Sequence, residues 1–311
     1  MSEKKLIDVF LFYNELDLLE LRLKSLYEFV DFFVITECEE TFSGKKKELL
    51  FLKNRERFLK FEDKIIYNRV SNKDLAFLQS ESGKFKKYIT NFDVPHKHKH
   101  SNRPANILHS SLKREITHRD SAILGLVKIA KYGDIVFISD VDEIPNPNVV
   151  KSFRNKKIES PSYFEMKWYM YWVNNQVSKC NWYGTVAFEY SMLEGKSLDL
   201  LRYSSSDHKN VPGLIIKNAG WHFSYLGGAD AISNKLDALP YQGLKAEISK
   251  FLNKISFGGW DSKLKSNKDI LLQNRKFNVV EIDESFPEEI FLMPLFDEVY
   301  FKKINRDEKN D

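Results

Sequence analysis

The chain has 311 residues, 42% of them apolar and 30% charged, with a net charge of only +4. That length supports a large core, since domains commonly hold about 100–150 residues, and the balance excludes a disordered chain and a concentrated basic face for nucleic acid. Two cysteines, Cys38 and Cys180, are too few for a disulfide framework and form no C-x-x-C pair for zinc.

The N-terminal apolar run is broken by Asp8, Asn14 and Glu15 before it reaches the ~20 residues of a bilayer span, so no transmembrane segment and a soluble, cytoplasmic protein are expected. Leu6 to Tyr13 is short and rich in β formers, predicting a strand that ends at Asn14, a good helix N-cap. Leu19, Leu23, Leu26 and Val30 then recur at three- and four-residue steps, one face of a helix. Asp31 to Thr36 reads as a second strand, Leu50 to Leu59 as a helix and Lys64 to Val70 as a third strand. Alternating strands and helices predict a mostly parallel sheet covered on both faces.

Ser71 to about Ala105 is polar and reads as a long surface loop, with His96, His98 and His100 interleaved with lysine in a solvated stretch. Ala105 to Tyr132 restores helical periodicity, and Asp134 to Ser139 is a β-rich run suited to the middle of the sheet. After Pro161 the chain turns aromatic, in segments whose residue types favour mixed or antiparallel strands. No Gly/Ser/Pro-rich linker divides the halves, so one α/β domain is expected, changing character near 147–148, with a charged tail at 303–311.

The sharpest chemical signal is DIVFISDVDEIP, where an apolar strand stops at Asp140, Val141, Asp142 and Glu143. In extended backbone Asp140 and Asp142 would share one side, at the strand end where open α/β sheets bind ligands. Two carboxylates facing one way repel unless a cation lies between them, and oxygen ligation suits Mg²⁺ or Mn²⁺. A strand ending in D-x-D also opens phosphatases of the haloacid dehalogenase type, but Glu143 and Ile144 stand where those enzymes have Gly and a hydroxyl residue. A glycan-binding protein without catalysis is a third class.

Five segments together carry a resemblance: Phe10 to Leu23, Phe33 to Phe51, Lys113 to Leu126, Ile138 to Pro147 and Gly220 to Gly228. In that order they resemble glycosyltransferase family 17 in its soluble bacterial and viral form. The resemblance implies a GT-A fold, Rossmann-like, with a nucleotide-sugar-binding half (1–147) and an acceptor-side half (148–302). It also implies a UDP-sugar donor, UDP-N-acetylglucosamine, a divalent ion on the D-x-D pair, inversion at the anomeric carbon and a glycan or glycoconjugate acceptor.

On that resemblance Asn14, Glu15, Glu37, Thr41 and Lys47 are candidate donor contacts, as are Arg114, Arg119, Asp120 and Asp140 and the Gly227–Gly228 turn. Asn14 is equally a helix cap, and Glu115 with Arg119 equally a surface pair. His222, in GWHFSYLGG, is the candidate third metal ligand beside Asp140 and Asp142. A one-step inverting transfer needs a carboxylate base, for which Glu143, Glu165 and Asp230 are candidates that the sequence does not separate, with Asp142 as the central catalytic residue.

Overall fold

The computed structural model describes residues 3–79, 110–194, 196–203, 213–238, 248–249, 259–293 and 300–302. Its first half alternates strand and helix: β1 (Leu6–Leu11), α1 (Leu16–Leu26), β2 (Phe32–Cys38), α2 (Leu50–Lys53), β3 (Ile65–Val70), α3 (Asn72–Gln79), α4 (Ser110–Asp120), α5 (Ile123–Leu126) and β4 (Ile135–Asp140). The second half holds β5 (Glu143–Pro145), α6 (Pro147–Ser152), β6 (Ser162–Met170), β7 (Asn175–Glu189), α7 (Leu198–Tyr203), β8 (Leu214–Ile216), β9 (Gly220–Ser224), α8 (Gly228–Ala238) and β10 (Phe277–Val279).

All ten strands join one sheet with the path β3-β2-β1-β4-β7-β6-β9-β5, β10 pairing with β7 and β8 with β6. The pairs among β1 to β4 are parallel. Beyond β4 the pairing mixes, with β7 antiparallel to both β4 and β6, and β9 parallel to β6 but antiparallel to β5.

Side-chain alternation explains why both faces are covered. Leu6, Phe10, Phe33 and Phe137 pack with Leu19, Leu23 and Leu26 of α1. Their neighbours Ile7, Val9, Val34, Val136 and Ile138 point to the other face and pack with Ile123 and Leu126 of α5 and Leu198 and Leu201 of α7. By the same parity Ser139 falls on the α1 face and Asp140 on the α5–α7 face.

Three readings of the sequence are corrected. The helix expected through Leu59 gives way at Asn54, whose side-chain amide donates to the Leu50 carbonyl at 2.8 Å, and a 3-10 stretch follows over Arg55–Lys64. The long helix expected to Tyr132 breaks between α4 and α5, where Asn68 takes the Ser121 carbonyl at 3.0 Å. The polar interval after Ser71 opens with α3, started by a box in which Ser71 N–H donates to Asp74 Oδ2 at 2.8 Å and Asp74 N–H to Ser71 Oγ at 3.3 Å. The rest of that interval, with His96, His98 and His100, and the tail at 303–311 lie outside the described residues. Among those that are described, no helix is long and apolar enough to cross a membrane.

Candidate active site

The D-x-D segment runs from the end of β4 into a turn. β4 stops at Asp140, Val141 drops into the core, and β5 begins at Glu143. A buried arginine holds the turn from beneath. Arg22 of α1 donates to the Asp140 carbonyl at 2.9 Å and to the Glu143 carbonyl at 2.8 Å. Its other nitrogens bind both oxygens of Asp8, at 2.8 and 2.6 Å, and Ser139 Oγ at 2.6 Å. The guanidinium also lies over the Phe10 ring at 4.3 Å, and neither Arg22 nor Asp8 is exposed. Sequence reasoning missed this clamp. Its signal was present: Arg22 falls in the apolar stripe of α1 between Leu19 and Leu26, and Asp8 interrupts an apolar strand.

Asp140 is committed to cations supplied by the protein. Its Oδ2 accepts from Arg119 of α4 at 3.3 Å and from Arg202 of α7 at 2.7 Å. Burial pushes the carboxyl up, and Arg119 and Arg202 hold it below the usual aspartate range. Arg119 also pairs with Glu115 at 2.7 Å and Asp199 at 3.1 Å, so the pair expected with Glu115 and the contact to Asp140 occur together. Asp120 does something different. Its Oδ1 accepts from the Asp199 N–H at 3.0 Å at the start of α7, and burial, then Asp199, push its carboxyl well above the usual range.

Glu143 is fully buried. Its Oε1 accepts from Trp182 Nε1 at 2.7 Å and Arg202 at 2.5 Å, and its Oε2 from the Asp140 N–H at 2.9 Å. A carboxylate so engaged has no open oxygen for an acceptor proton, so the candidate base Glu143 is instead a bolt between the turn, β7 and α7. Glu165 lies one residue from Met166 and hence on the opposite face of β6, where it accepts from Tyr183 OH at 2.8 Å. Trp182 pairs with Met166 across β6 and β7, so Glu165 faces away from the Trp182 side. Asp230 is exposed in the first turn of α8, one helical turn before Asn234 on the same face.

Asp142 has other partners. Its Oδ2 accepts from Lys235 of α8 at 2.7 Å, and Lys235 also donates to Glu15 Oε1 at 3.0 Å. Its Oδ1 stands 3.7 Å from His222 Nε2, beyond hydrogen-bond length. Burial pushes the Asp142 carboxyl up, but Lys235 and His222 hold it far below the usual range. The His222 ring clusters with Trp182 at 4.3 Å and Trp168 at 6.0 Å between ring centroids, the two tryptophans being 5.1 Å apart. The β9 strand that carries it approaches β5 at Gly220, where a Cβ would lie 2.3 Å from the Ile144 carbonyl oxygen.

The donor set can be tested for a divalent ion. Asp142 Oδ1 and His222 Nε2 form an O/N pair, both residues nearly buried, whose gap no hydrogen bond closes, and His222 Nδ1 has no partner; this pair fits such an ion. Asp140 is set apart from this pair by the two guanidiniums on its Oδ2. Among the described residues no group of three or more His, Cys, Asp or Glu is placed to hold a metal ion.

A cavity of about 420 Å³ opens between the β1–α1 connection, the segment after β2 and α8, lined by Tyr13, Asn14, Thr41, Lys47, Asn234 and Asp237 among others. Asn14 is therefore a wall residue and not the α1 cap; Glu15 occupies that cap position without a capping bond. Glu37 lies below the wall, fully buried, accepting from Lys47 Nζ at 2.9 Å, the Leu50 N–H at 2.6 Å and Tyr67 OH at 3.0 Å. It steadies Lys47 and does not reach the cavity lining. Arg114 pairs with Glu40 at 3.5 Å, against Gly44. Gly227 and Gly228, with φ of 94° and 80°, carry the chain from β9 into α8 through conformations that favour glycine. Arg22, Arg202 and Lys235 are the site residues the sequence did not reveal; for Lys235, on a helix whose buried face is Ile232 and Leu236, no local signal existed.

The sequence model of glycosyltransferase family 17 matches residues 1–81 and 71–228. In three dimensions the chain is similar to glucosyl-3-phosphoglycerate synthase from Mycobacterium tuberculosis, in a crystal structure with Mn²⁺, uridine diphosphate and phosphoglyceric acid. That likeness covers 93% of this chain and 92% of that one, at 12% identity and a TM-score of 0.33. A likeness so loose carries no residue or ligand across. No curated protein matches the sequence.

Proposed function

The chain belongs to glycosyltransferase family 17, and on that premise we propose that it moves N-acetylglucosamine from UDP-N-acetylglucosamine to a hydroxyl of a glycan or glycoconjugate, with inversion. Membership removes the non-catalytic class. The phosphatase reading falls on the same finding, and its required nucleophile, Asp140, has Oδ2 pinned by two guanidiniums.

One observation carries the proposal: α8 lines the cavity with Asn234 and Asp237 and, from the residue next to Asn234, sends Lys235 to Asp142. A nucleoside in the cavity would thus have its diphosphate next to Asp142 and His222. A volume of about 420 Å³ lies within the range of roughly 300–1,000 Å³ common for small-ligand sites. Asn14 and Thr41 offer hydrogen bonds at the wall, and Lys47, braced by Glu37, offers positive charge.

A divalent ion, Mn²⁺ or Mg²⁺, held by Asp142 and His222 would neutralise charge developing on the departing diphosphate. Of the three candidate bases, Asp230 is the one whose surroundings leave its carboxylate open, and we assign it the acceptor proton. Trp168 and Trp182 are half-buried beside His222, the Trp168 ring lying under the Arg275 guanidinium at 5.1 Å.

Calorimetric titration with UDP, with and without Mn²⁺, tests the reading, together with UDP release from UDP-N-acetylglucosamine. Binding that requires the ion is expected. Failure of UDP to bind with either Mn²⁺ or Mg²⁺ would overturn it.

A further inference from the structure

Lys235 meets two carboxylates from distant parts of the chain. It donates to Asp142 Oδ2 at 2.7 Å and to Glu15 Oε1 at 3.0 Å, and its ammonium lies over the Tyr225 ring at 5.6 Å. All three charged side chains are mostly buried, at 17%, 8% and 15% exposure for Lys235, Asp142 and Glu15. Anionic oxygens from two separate elements converging on one cation are what a divalent ion would also meet. Here a tethered ammonium takes that role.

We propose that Lys235 is the resident counter-cation of the donor site: it opposes a divalent ion at Asp142 until a nucleotide diphosphate arrives and takes over the ammonium. The inference rests on the reading that Asp142 and His222 hold the ion beside that diphosphate. An ion between Asp142 Oδ1 and His222 Nε2 would stand a few ångströms from an ammonium on the other oxygen of the same carboxylate. In a poorly solvated site two cations so close repel strongly.

Charge counting gives the order of events. Lys235 against Asp142 and Glu15 leaves one net negative charge. A divalent ion alone makes the site positive, whereas an ion arriving with the doubly charged diphosphate of a nucleotide sugar returns it to the starting value. Lys235 keeps a third N–H beyond the two its carboxylates use, enough to reach a phosphate oxygen. The same helix lines the cavity through Asn234 and Asp237, so a nucleotide entering there contacts the element that carries the ammonium.

The test measures Mn²⁺ binding by the full chain from the electron paramagnetic resonance of the free ion, and UDP binding by calorimetry at saturating Mn²⁺. Lys235→Met is expected to tighten Mn²⁺ without nucleotide at least tenfold and to weaken UDP at least tenfold; Lys235→Arg should keep both near the wild-type values. A residue that only supports the fold would weaken both, so Mn²⁺ affinity unchanged or lower in Lys235→Met overturns the proposal. Lys235→Gln, closer in shape, repeats the measurement should the methionine variant fold poorly. If wild type binds UDP with Mn²⁺ but the variants do not show the opposed shifts, the inference falls and the donor-site reading stands. If wild type binds UDP with neither Mn²⁺ nor Mg²⁺, both fall.

Discussion

Asp140 gives one oxygen to two guanidiniums, Arg119 at 3.3 Å and Arg202 at 2.7 Å, whereas Asp142, two residues on, gives one oxygen to the ammonium of Lys235 and leaves the other facing His222 across 3.7 Å. The ligands of Asp140 are planar, permanently charged and braced by further acids, Glu115, Asp199 and Glu143. The ligand of Asp142 is a point charge on a flexible stem. A strand-end D-x-D pair thus divides into one carboxylate locked into the architecture and one open to exchange. The alternation that would put both on one side says nothing about this, because partners from α4, α7 and α8 decide it.

The largest expected effect removes the floor common to both. Arg22→Met leaves Asp8 buried without its cation and frees the Asp140 and Glu143 carbonyls, and breaking one partner of a buried pair costs about 3–5 kcal/mol. Denaturant unfolding should show that loss. Arg57→Ala, which cuts an exposed pair with Asp17 and Glu20, should cost less than about 1 kcal/mol. Equal losses would mean that the clamp contributes nothing beyond a surface pair.

Next come the two aspartates themselves. Asp142→Asn should reduce transfer roughly 10²–10³-fold, the usual consequence of losing one electrostatic group at a reacting centre, and abolish Mn²⁺-dependent UDP binding. Asp140→Asn should do the opposite, lowering stability by about 1–2 kcal/mol while keeping UDP affinity within about threefold. Titrations and melting curves on the pair decide it. Reversed outcomes would assign the ligand role to Asp140 and dismantle the division.

The parallel half of the sheet was legible because its strands are buried on both faces, so that LIDVFL and IVFISD stand out as apolar runs. The family was legible from five motifs in order. Roles within the motifs were not. Glu143 is adjacent in sequence to Asp142, which suggests a base; its burial follows from Trp182 and Arg202, 39 and 59 residues away. Glu37 reads as a donor contact because it follows a strand, yet it receives the Leu50 N–H and the Lys47 ammonium. The Arg22–Asp8 pair was missed although opposite charges in two core-facing stripes mark where such a pair would form.

A pH-dependent effect concerns the cationic wall on the Asp140 side. His118 of α4 is buried beside Arg114, Arg119 and Lys47. Its Nε2 has no hydrogen-bond partner, the nearest acid being Glu40 at 3.7 Å. Burial, then Arg114 and Arg119, push its pKa down to about 3 from the ordinary 6.5. Because the folded value lies below the unfolded one, stability is fully present above pH 6.5 and is lost as pH falls from there toward 3, by up to about 1.4 kcal/mol per pH unit. His118→Gln removes the titrating group, so its melting temperature between pH 6.5 and 5 should fall less steeply than that of wild type. Asp142 is already ionised throughout that window, held low by Lys235 and His222 against the upward push of burial, and adds no slope. An identical slope in the variant would place the acid sensitivity outside this wall, and the contrast between the locked and the open aspartate would then have to rest on ligand binding alone.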